Sequence, residues 1–560
     1  MRQTRLLACA AMVAAFAFVP AAQAQPQHGH HGHHHGHHGK KKKPRTTVRG
    51  IVAHQRALQG IADMSGGTRH TETPGYTASV AYVREKMKRA GLNVTITQFN
   101  MPEWRETAPP VFQQLSPAAK TYVPGTEADD DSAAVDYITF EFSPTANVAS
   151  APVVPVSDNV VPSPAANSNT AGCEAADFPA ATTGAISLIQ RGTCPFVQKI
   201  ANAQLAGAVG VILFNEGDSA GRMNAGFRSG PTDLAIPAVF SSYAVGKELY
   251  DAFTAGQNPT VHLQTNGVNV DRFFPQVIAE TKKGDPNHVV LAGAHLDSVP
   301  AGPGINDDGS GTSWQLDLAE EVAKLKPKNK IRFMWFGGEE DGLVGSQYYA
   351  AHLTQDEINR IDVMIDTDMI ASPNYVRLVY DGNGDELGPA GPEGSGVIED
   401  VFKRYFQRRG MATLPQAFDG RSDYVGFINR GIPGGGIFAG AEVPKTAAQV
   451  AVFGGVAGEQ YDPCYHEACD NIDTVTGQPP ASTMNSFATD PLLAQQQANA
   501  LNGNALKSLR EMSGAVTHAV WFFANKRGVL PPRATTAKAA RKLASKRHFK
   551  YQGHRRARTR

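Results

Sequence analysis

Histidines and carboxylates recur in this 560-residue chain in short clusters separated by apolar runs. His295-Leu296-Asp297 is followed by Asn306-Asp307-Asp308-Gly309-Ser310-Gly311, then Gly338-Glu339-Glu340, then Asp366-Thr367-Asp368, and much later Cys464-Tyr465-His466. Histidine with several carboxylates suits zinc, and more than four ligands suits a pair of metal ions. Such a pair needs a carboxylate that gives one oxygen to each ion, further terminal ligands, and a base that is not itself a ligand. Glu339 and Glu340 are adjacent, so from one strand end they point differently; one can bind metal while the other takes a proton from a water. In His295-x-Asp297 the carboxylate can hold the imidazole nitrogen that faces away from a metal. Any one of these acids alone reads as a solvated loop charge; the whole set following the strands of one sheet does not.

The elements around them supply that sheet. From Pro275 the pattern predicts strands over Val289–Leu291, Ile331–Phe336 and Val363–Asp368, alternating with helices over Thr312–Leu325 and Ser346–His352. This is an α/β alternation, expected to build a mostly parallel central sheet with helices on both faces. Ligands in such sheets bind beyond the carboxyl ends of the strands, where the clusters fall. Ahead of it, a helix near His54, a Gly/Thr-rich loop over Gly66–Gly75, a helix over Ser79–Ala90 stopped by Gly91, and a strand over Asn93–Phe99 are expected. Residues 112–266 change character. Strands over Val135–Phe142, Ala151–Val156, Gly184–Arg191, Val209–Asn215 and Ile236–Phe240 surround one short helix, Phe196–Ala206, which suggests a β-rich module inserted into the main domain. The expected division is therefore 51–111 and 267–525 for the main domain and 112–266 for the insert.

Rival motifs carry less. Gly217-Asp218-Ser219-Ala220-Gly221 matches the G-x-S-x-G nucleophile elbow, but Arg222-Met223-Asn224-Ala225-Gly226 after it does not read as a helix. His466-Glu467 lacks the second histidine of H-E-x-x-H. Asp381-Gly382-Asn383-Gly384-Asp385 opens like a structural calcium loop without the glycine at its sixth position, so a solvated turn is the expected reading and calcium the alternative.

In order along the chain, His295-Leu296-Asp297-Ser298, Gly304 to Gly311, Gly338-Glu339-Glu340, Asp368-Met369-Ile370, Gly420-Arg421-Ser422-Asp423 and Asp462-Pro463-Cys464-Tyr465-His466 resemble the secreted M28 family of di-zinc aminopeptidases, bacterial leucyl aminopeptidases included. Arg191-Gly192-Thr193-Cys194-Pro195-Phe196 and Ala206-Gly207-Ala208-Val209-Gly210-Val211 resemble a protease-associated (PA) domain. The resemblance covers roughly residues 50–525 and implies a zinc exopeptidase fold. It implies His295 and Asp368 as ligands of one zinc ion, Glu340 and His466 of the other, and Asp307 as the bridge. Glu339 takes the general-base position, Tyr465 resembles the hydroxyl that stabilises an oxyanion, and Arg421 matches a substrate-contacting residue.

Composition sets the surroundings. The chain holds 53 Lys/Arg and 52 Asp/Glu, but residues 1–50 and 526–560 contribute 8 and 13 basic residues and no acidic ones; residues 51–525 are left with 32 basic against 52 acidic, a net of −20. So acidic a body argues against nucleic acid as a partner. Arg2, Arg5, an apolar run over Leu6–Val19 and Ala22-Gln23-Ala24 read as a secretory signal, so the protein is expected to be secreted. No later stretch is long and apolar enough for a membrane span. Residues 25–50, with eight histidines between His28 and His38 and then Lys40–Lys43, are expected to form a disordered leader, and 526–560 a disordered basic tail suited to holding anionic surfaces or covering the acidic body. Cleavage removes Cys9 and leaves Cys173, Cys194, Cys464 and Cys469; three pairings are open, and the nearest-neighbour one is preferred. The combined reading is a monomeric, exported di-zinc aminopeptidase acting on the N-termini of peptides or proteins, with an expected preference for apolar residues. The alternatives are a carboxypeptidase or dipeptidase on the same scaffold, or a binding protein that docks through the PA-like insert.

Overall fold

Apolar residues alternate along the strands so that each strand feeds two cores at once. Val290, Ala292, Phe333, Trp335, Val363 and Ile365 enter one core, and Val289, Leu291, Met334, Phe336, Ile361 and Met364 enter the other. The first is covered by helices Val48–Asp63, Pro74–Ala90, Gly309–Val322 and Asn504–Asn525, the second by Val344–Ala351, Gln355–Arg360 and Tyr424–Asn429. A strand buried on both faces reads as a continuous apolar run, which is how Ile331 to Phe336 reads apart from Arg332. The computed structural model describes residues 42–531 apart from 166–167, 230–232 and 485–489, and from Pro44 onward the chain forms one unit. The signal segment with Cys9, most of the leader and most of the tail lie outside the described residues.

The main sheet has eight strands in the order Asn93–Asn100, Phe273–Glu280, Asn329–Phe336, Asp285–His295, Ile361–Thr367, Gly434–Phe438, Leu378–Tyr380, Leu414–Gln416. The four central strands from Asn329–Phe336 to Gly434–Phe438 run parallel, and the two strands at the first edge pair antiparallel. On the other side Leu378–Tyr380 is antiparallel to Gly434–Phe438 and parallel to Leu414–Gln416. The α/β class with helices on both faces holds, with the sheet parallel at its centre and antiparallel pairs toward its edges.

A second sheet of ten strands is built from residues 103–270. Its parallel centre, Thr145–Pro155, Ile186–Gln190, Gly210–Phe214 and Ala238–Ser241, is again buried on both sides. It carries two helices, Phe196–Leu205 and Tyr243–Thr254, where one was expected. The second helix is capped by Ser242, whose hydroxyl accepts from the Val245 amide, and buries Val245 and Leu249 one turn apart. Gly246 lets it close on the sheet, since a Cβ there would lie 2.0 Å from Phe214 Cγ. The sheet also reaches beyond the expected 112–266. Glu103–Glu106 pairs with the far end of Thr260–Val270, and the Met101 amide donates to Arg272 O, forming a two-stranded neck to the main sheet.

Two outer boundaries also shift. Thr47 caps the first helix and its amide donates to Asp317, so residues 47–50 belong to the folded body rather than to the leader. At the other end, Arg527 donates to Asn329 and pairs with Asp285, and Val529 and Leu530 pack on the main core, so the tail departs later than residue 526. Both segments gain contacts with the folded body that compensate for ordering them.

Candidate metal centre

The five candidate ligands meet because neighbouring strands end together. His295 is the last residue of strand Asp285–His295, and Asp368 directly follows strand Ile361–Thr367 on one side of it. Glu339 and Glu340 come just after Asn329–Phe336 on the other side, beyond Gly337 and Gly338. Asp307 arrives on the loop that leads into helix Gly309–Val322, which Asp308 caps by accepting from the Gly311 amide. That loop turns at Gly304, φ +59°, where a Cβ would lie 2.2 Å from Asp307 O. His466 comes from a loop closed by the Cys464–Cys469 disulfide. The second bridge joins Cys173 and Cys194, so both pairs agree with the nearest-neighbour choice.

Asp307 stands between two groups. Its Oδ1 is 3.1 Å from His295 Nε2, and its Oδ2 is 3.3 Å from His466 Nε2. His295 Nε2 is also 3.7 Å from Asp368 Oδ1, while His466 Nε2 is 3.0 Å from Glu340 Oε2. Behind His295, Asp297 Oδ1 lies 3.6 Å from Nδ1, the nitrogen that faces away from Asp307. Buried Asp297 also accepts from the Glu339 and Glu340 amides at 3.4 and 3.3 Å.

The donor set fits cations better than it fits itself. Glu339, Glu340, Asp307 and His295 are each less than 10% exposed. Among the described residues, Glu339 Oε1, Glu340 Oε1 and Asp368 Oδ1 find no hydrogen-bond donor. Burying so many carboxylate oxygens without partners is costly. Burial drives the Glu339 carboxyl well above the usual range, with Glu340 adding to the rise and His295 opposing it. Glu340 is pushed up to about 6, first by burial and then by Asp307. His466 rises to about 10 and His295 well above its ordinary value: burial alone would lower both, but the surrounding carboxylates outweigh it. The carboxylates that raise both histidines, and that add to burial at Glu339 and Glu340, mark crowded negative charge, the condition that divalent ions relieve.

Tyr465 and Arg421 sit at the rim. Arg421 Nη1 and Nη2 grip Glu442 at 2.6 and 3.2 Å, and Nη2 donates to the Tyr465 hydroxyl oxygen at 3.1 Å. Burial, with Asp307 and Glu340 next, pushes this phenol well above its ordinary value, so it stays a donor. Its ring stacks on His466, centroids 3.8 Å apart. His466 holds φ +60°, costly for a residue with a Cβ and held here by the disulfide-closed turn in which the Glu467 amide donates to Cys464 O. A cleft opens over this group, walled on its apolar side by Met369, Tyr380, Phe438 and Ala441.

Two rival motifs stay apart. Ser219 of the G-x-S-x-G match lies in the second sheet's region, where its hydroxyl donates to Asp218. Asp381, Asp385 and Glu399 do converge. Yet Asp381 accepts from the Gly384, Glu386 and Leu387 amides, and Glu399 accepts from Gly382 and Asn383 and pairs with Lys403, so those oxygens are satisfied as a capped turn.

Several supporting residues were not picked out from the sequence. Ser422 donates to Asp368 Oδ2 at 2.7 Å, and Asp470 accepts from the Asn306 and Asp307 amides at 2.6 and 2.9 Å. Glu442 clamps Arg421, and Thr71 donates to Asp297. Each is a single polar residue far along the chain from its partner, a pattern with no periodicity to find.

Both parts of the chain are similar to known proteins. Residues 276–487 match peptidase family M28, a span that holds every candidate ligand, and residues 149–249 match the PA domain. An aminopeptidase of Pseudomonas aeruginosa is 40% identical over 432 residues, 76% of each chain. A probable leucine aminopeptidase 2 of Aspergillus oryzae is 34% identical over 489 residues, covering 86% of this chain and 84% of its own. Among solved structures, an aminopeptidase from Aneurinibacillus sp. strain AM-1 shares the fold, with a TM-score of 0.53 and 24% identity over 88% of this chain and 97% of that one.

Proposed function

The chain belongs to peptidase family M28, and from that premise we propose that it is a zinc-dependent aminopeptidase holding two zinc ions. The observation that carries this is Asp307, which turns one carboxylate oxygen toward His295 and the other toward His466. His295 and Asp368 would hold one ion, Glu340 and His466 the other, with Asp307 shared. Bound there, the ions supply Lewis acidity toward the scissile carbonyl and toward a water molecule.

The protein's own residues do the rest. Glu339, buried and raised in pKa, takes the proton of the attacking water and hands it to the leaving amine. Tyr465 donates its hydrogen bond to the oxygen that becomes negative, steadied by Arg421. The apolar wall of Met369, Tyr380, Phe438 and Ala441 accepts an apolar N-terminal side chain. The acidic surroundings favour a substrate that brings a positive amine.

That last point also ranks the carboxypeptidase reading lower. Among the residues lining the cleft Arg421 is the one cation, and Glu442 neutralises it. The pairing of Cys173, Cys194, Cys464 and Cys469 in two disulfides supports export. Paired assays on leucyl anilide and its N-acetyl derivative test the function. Cleavage of the first alone is expected; equal cleavage of both would overturn the amine-directed reading, and cleavage of neither would favour a binding protein.

A further inference from the structure

The Gly66–Gly75 loop lies more than 220 residues before the nearest candidate ligand, yet it braces the centre at four consecutive positions. Thr68 Oγ1 donates to Val299 O at 2.8 Å. Arg69 is fully buried and spends its guanidinium on main-chain carbonyls: Leu296 O, Pro303 O at 2.8 Å and Gly304 O at 2.7 Å. It thereby holds the loop that runs from His295 to Asp307. His70 Nε2 lies 3.2 Å from Asp341 Oδ1, directly after Glu340. Thr71, 1% exposed, completes the set: its hydroxyl donates to Asp297 Oδ2 at 3.2 Å and accepts from the Gly338 amide at 2.9 Å.

Thr71 is thus the one side chain of this loop that touches both strand ends. On one side is Asp297, which stands behind His295 Nδ1; on the other is the turn that presents Glu339 and Glu340. A hydroxyl can serve both roles at once because it donates one hydrogen and keeps lone pairs for acceptance. We propose that Thr71 is a positioning residue for the centre, holding the His295–Asp297 pair and the Glu339–Glu340 turn in register through a single hydroxyl. The proposal rests on the metal-centre reading for what is positioned, and on the hydrogen bonds alone for how. Partners of this kind orient ligands and tune them, and losing one costs about 10–100-fold in activity or metal affinity.

The test compares Thr71→Val, which keeps the shape and loses the hydroxyl, with Thr71→Ser, which keeps the hydroxyl. Turnover of leucyl anilide is measured beside the visible absorption spectrum of the cobalt-substituted enzyme, which reports ligand geometry without catalysis. For Thr71→Val, a kcat about 10–100-fold lower with KM within about twofold is expected, together with an altered cobalt spectrum. Thr71→Ser is expected to match wild type in both. Wild-type kcat and spectrum in Thr71→Val would overturn the proposal. So would equal losses in the two variants, which would assign the effect to the methyl group. If Thr71→Val does not fold, Thr71→Ala replaces it under the same criteria. If wild type cleaves no anilide, the aminopeptidase reading fails while the cobalt spectra still decide the role of Thr71; a wild type that takes up no cobalt refutes both.

Discussion

The two sheets of this protein share a construction and differ in what stands at their strand ends. Each has a parallel centre buried on both faces, helices against it, and one disulfide. In the 103–270 sheet the strand ends carry side-chain amides that are spent on main-chain carbonyls. Gln190 Nε2 donates to Glu216 O, Asn215 Nδ2 to Asn224 O, and Asn159 Nδ2 to Leu188 O. In the main sheet the same positions carry His295, Glu339, Glu340 and Asp368, with buried oxygens left over. Among the described residues, none of the groupings able to hold a metal falls in the 103–270 sheet. Topology supplies a place where loops converge; the chemistry comes from leaving polar groups there unsatisfied.

The sharpest break in that contrast is the removal of a leftover charge from the main sheet. Glu339→Gln keeps the shape and the neighbouring Glu340, so zinc content should stay at the wild-type level while kcat falls at least ~100-fold. Metal analysis alongside steady-state kinetics checks both halves. Loss of zinc in this variant would exchange the roles of Glu339 and Glu340.

The two disulfides sharpen the comparison at a smaller scale. Cys464 and Cys469 are only five residues apart, so their bridge constrains the unfolded chain little, but it encloses Tyr465 and His466. Replacing both with serine should lower kcat about 10-fold and leave the melting temperature within a few degrees. Cys173 and Cys194 are 21 apart and enclose no candidate site residue. Their double serine variant should lose about 3 kcal/mol of stability while cleaving leucyl anilide at the wild-type rate. Calorimetry and kinetics on wild type and the two double variants would show the pattern. A reversed pattern would mean that the short bridge serves the fold and the long one the site.

The same contrast explains what was legible from sequence. His295, Glu340 and Asp368 stood out because each lies at or just past the end of an apolar strand run, and Asp307 and His466 because the order of the clusters matched a family. Helix Tyr243–Thr254 was missed although Ser242, Val245 and Leu249 give a cap and one turn of apolar spacing; it was hidden among short strands. The neck at Glu103–Glu106 was missed because it is four residues long, three of them charged, and pairs with a strand more than 150 residues away. Thr71, Asp470 and Glu442 were illegible for one reason: each acts through hydrogen bonds to partners outside its own stretch of chain, and only the fold brings the partners together. The tail's start was set too early because Arg527 and Leu530 look like the basic and apolar residues around them until Asp285 and the core meet them.

The smallest expected effect separates a titrating group of the scaffold from those of the centre. His54 lies on helix Val48–Asp63, 4% exposed, with Nδ1 2.7 Å from the Tyr82 hydroxyl. Burial, with Lys86 nearby adding to it, lowers its pKa to about 4. A base whose folded pKa lies below its unfolded value contributes stability that is present above the unfolded value near 6.5 and is lost as pH falls through about 4. At pH 4.5 the unfolded chain binds this proton and the folded chain largely does not, which costs about 2 kcal/mol relative to pH 7. Acid also protonates the carboxylates of the centre and weakens zinc binding there, so wild type alone cannot isolate the histidine. His54→Gln removes the titration while keeping a polar partner for Tyr82, and the loss of zinc is common to both proteins. Urea unfolding of the pair at pH 7 and pH 4.5 should therefore show the variant gaining about 2 kcal/mol on wild type as the pH falls. A difference that does not change with pH would place His54 outside the acid response and leave the whole of that response to the carboxylate-rich centre.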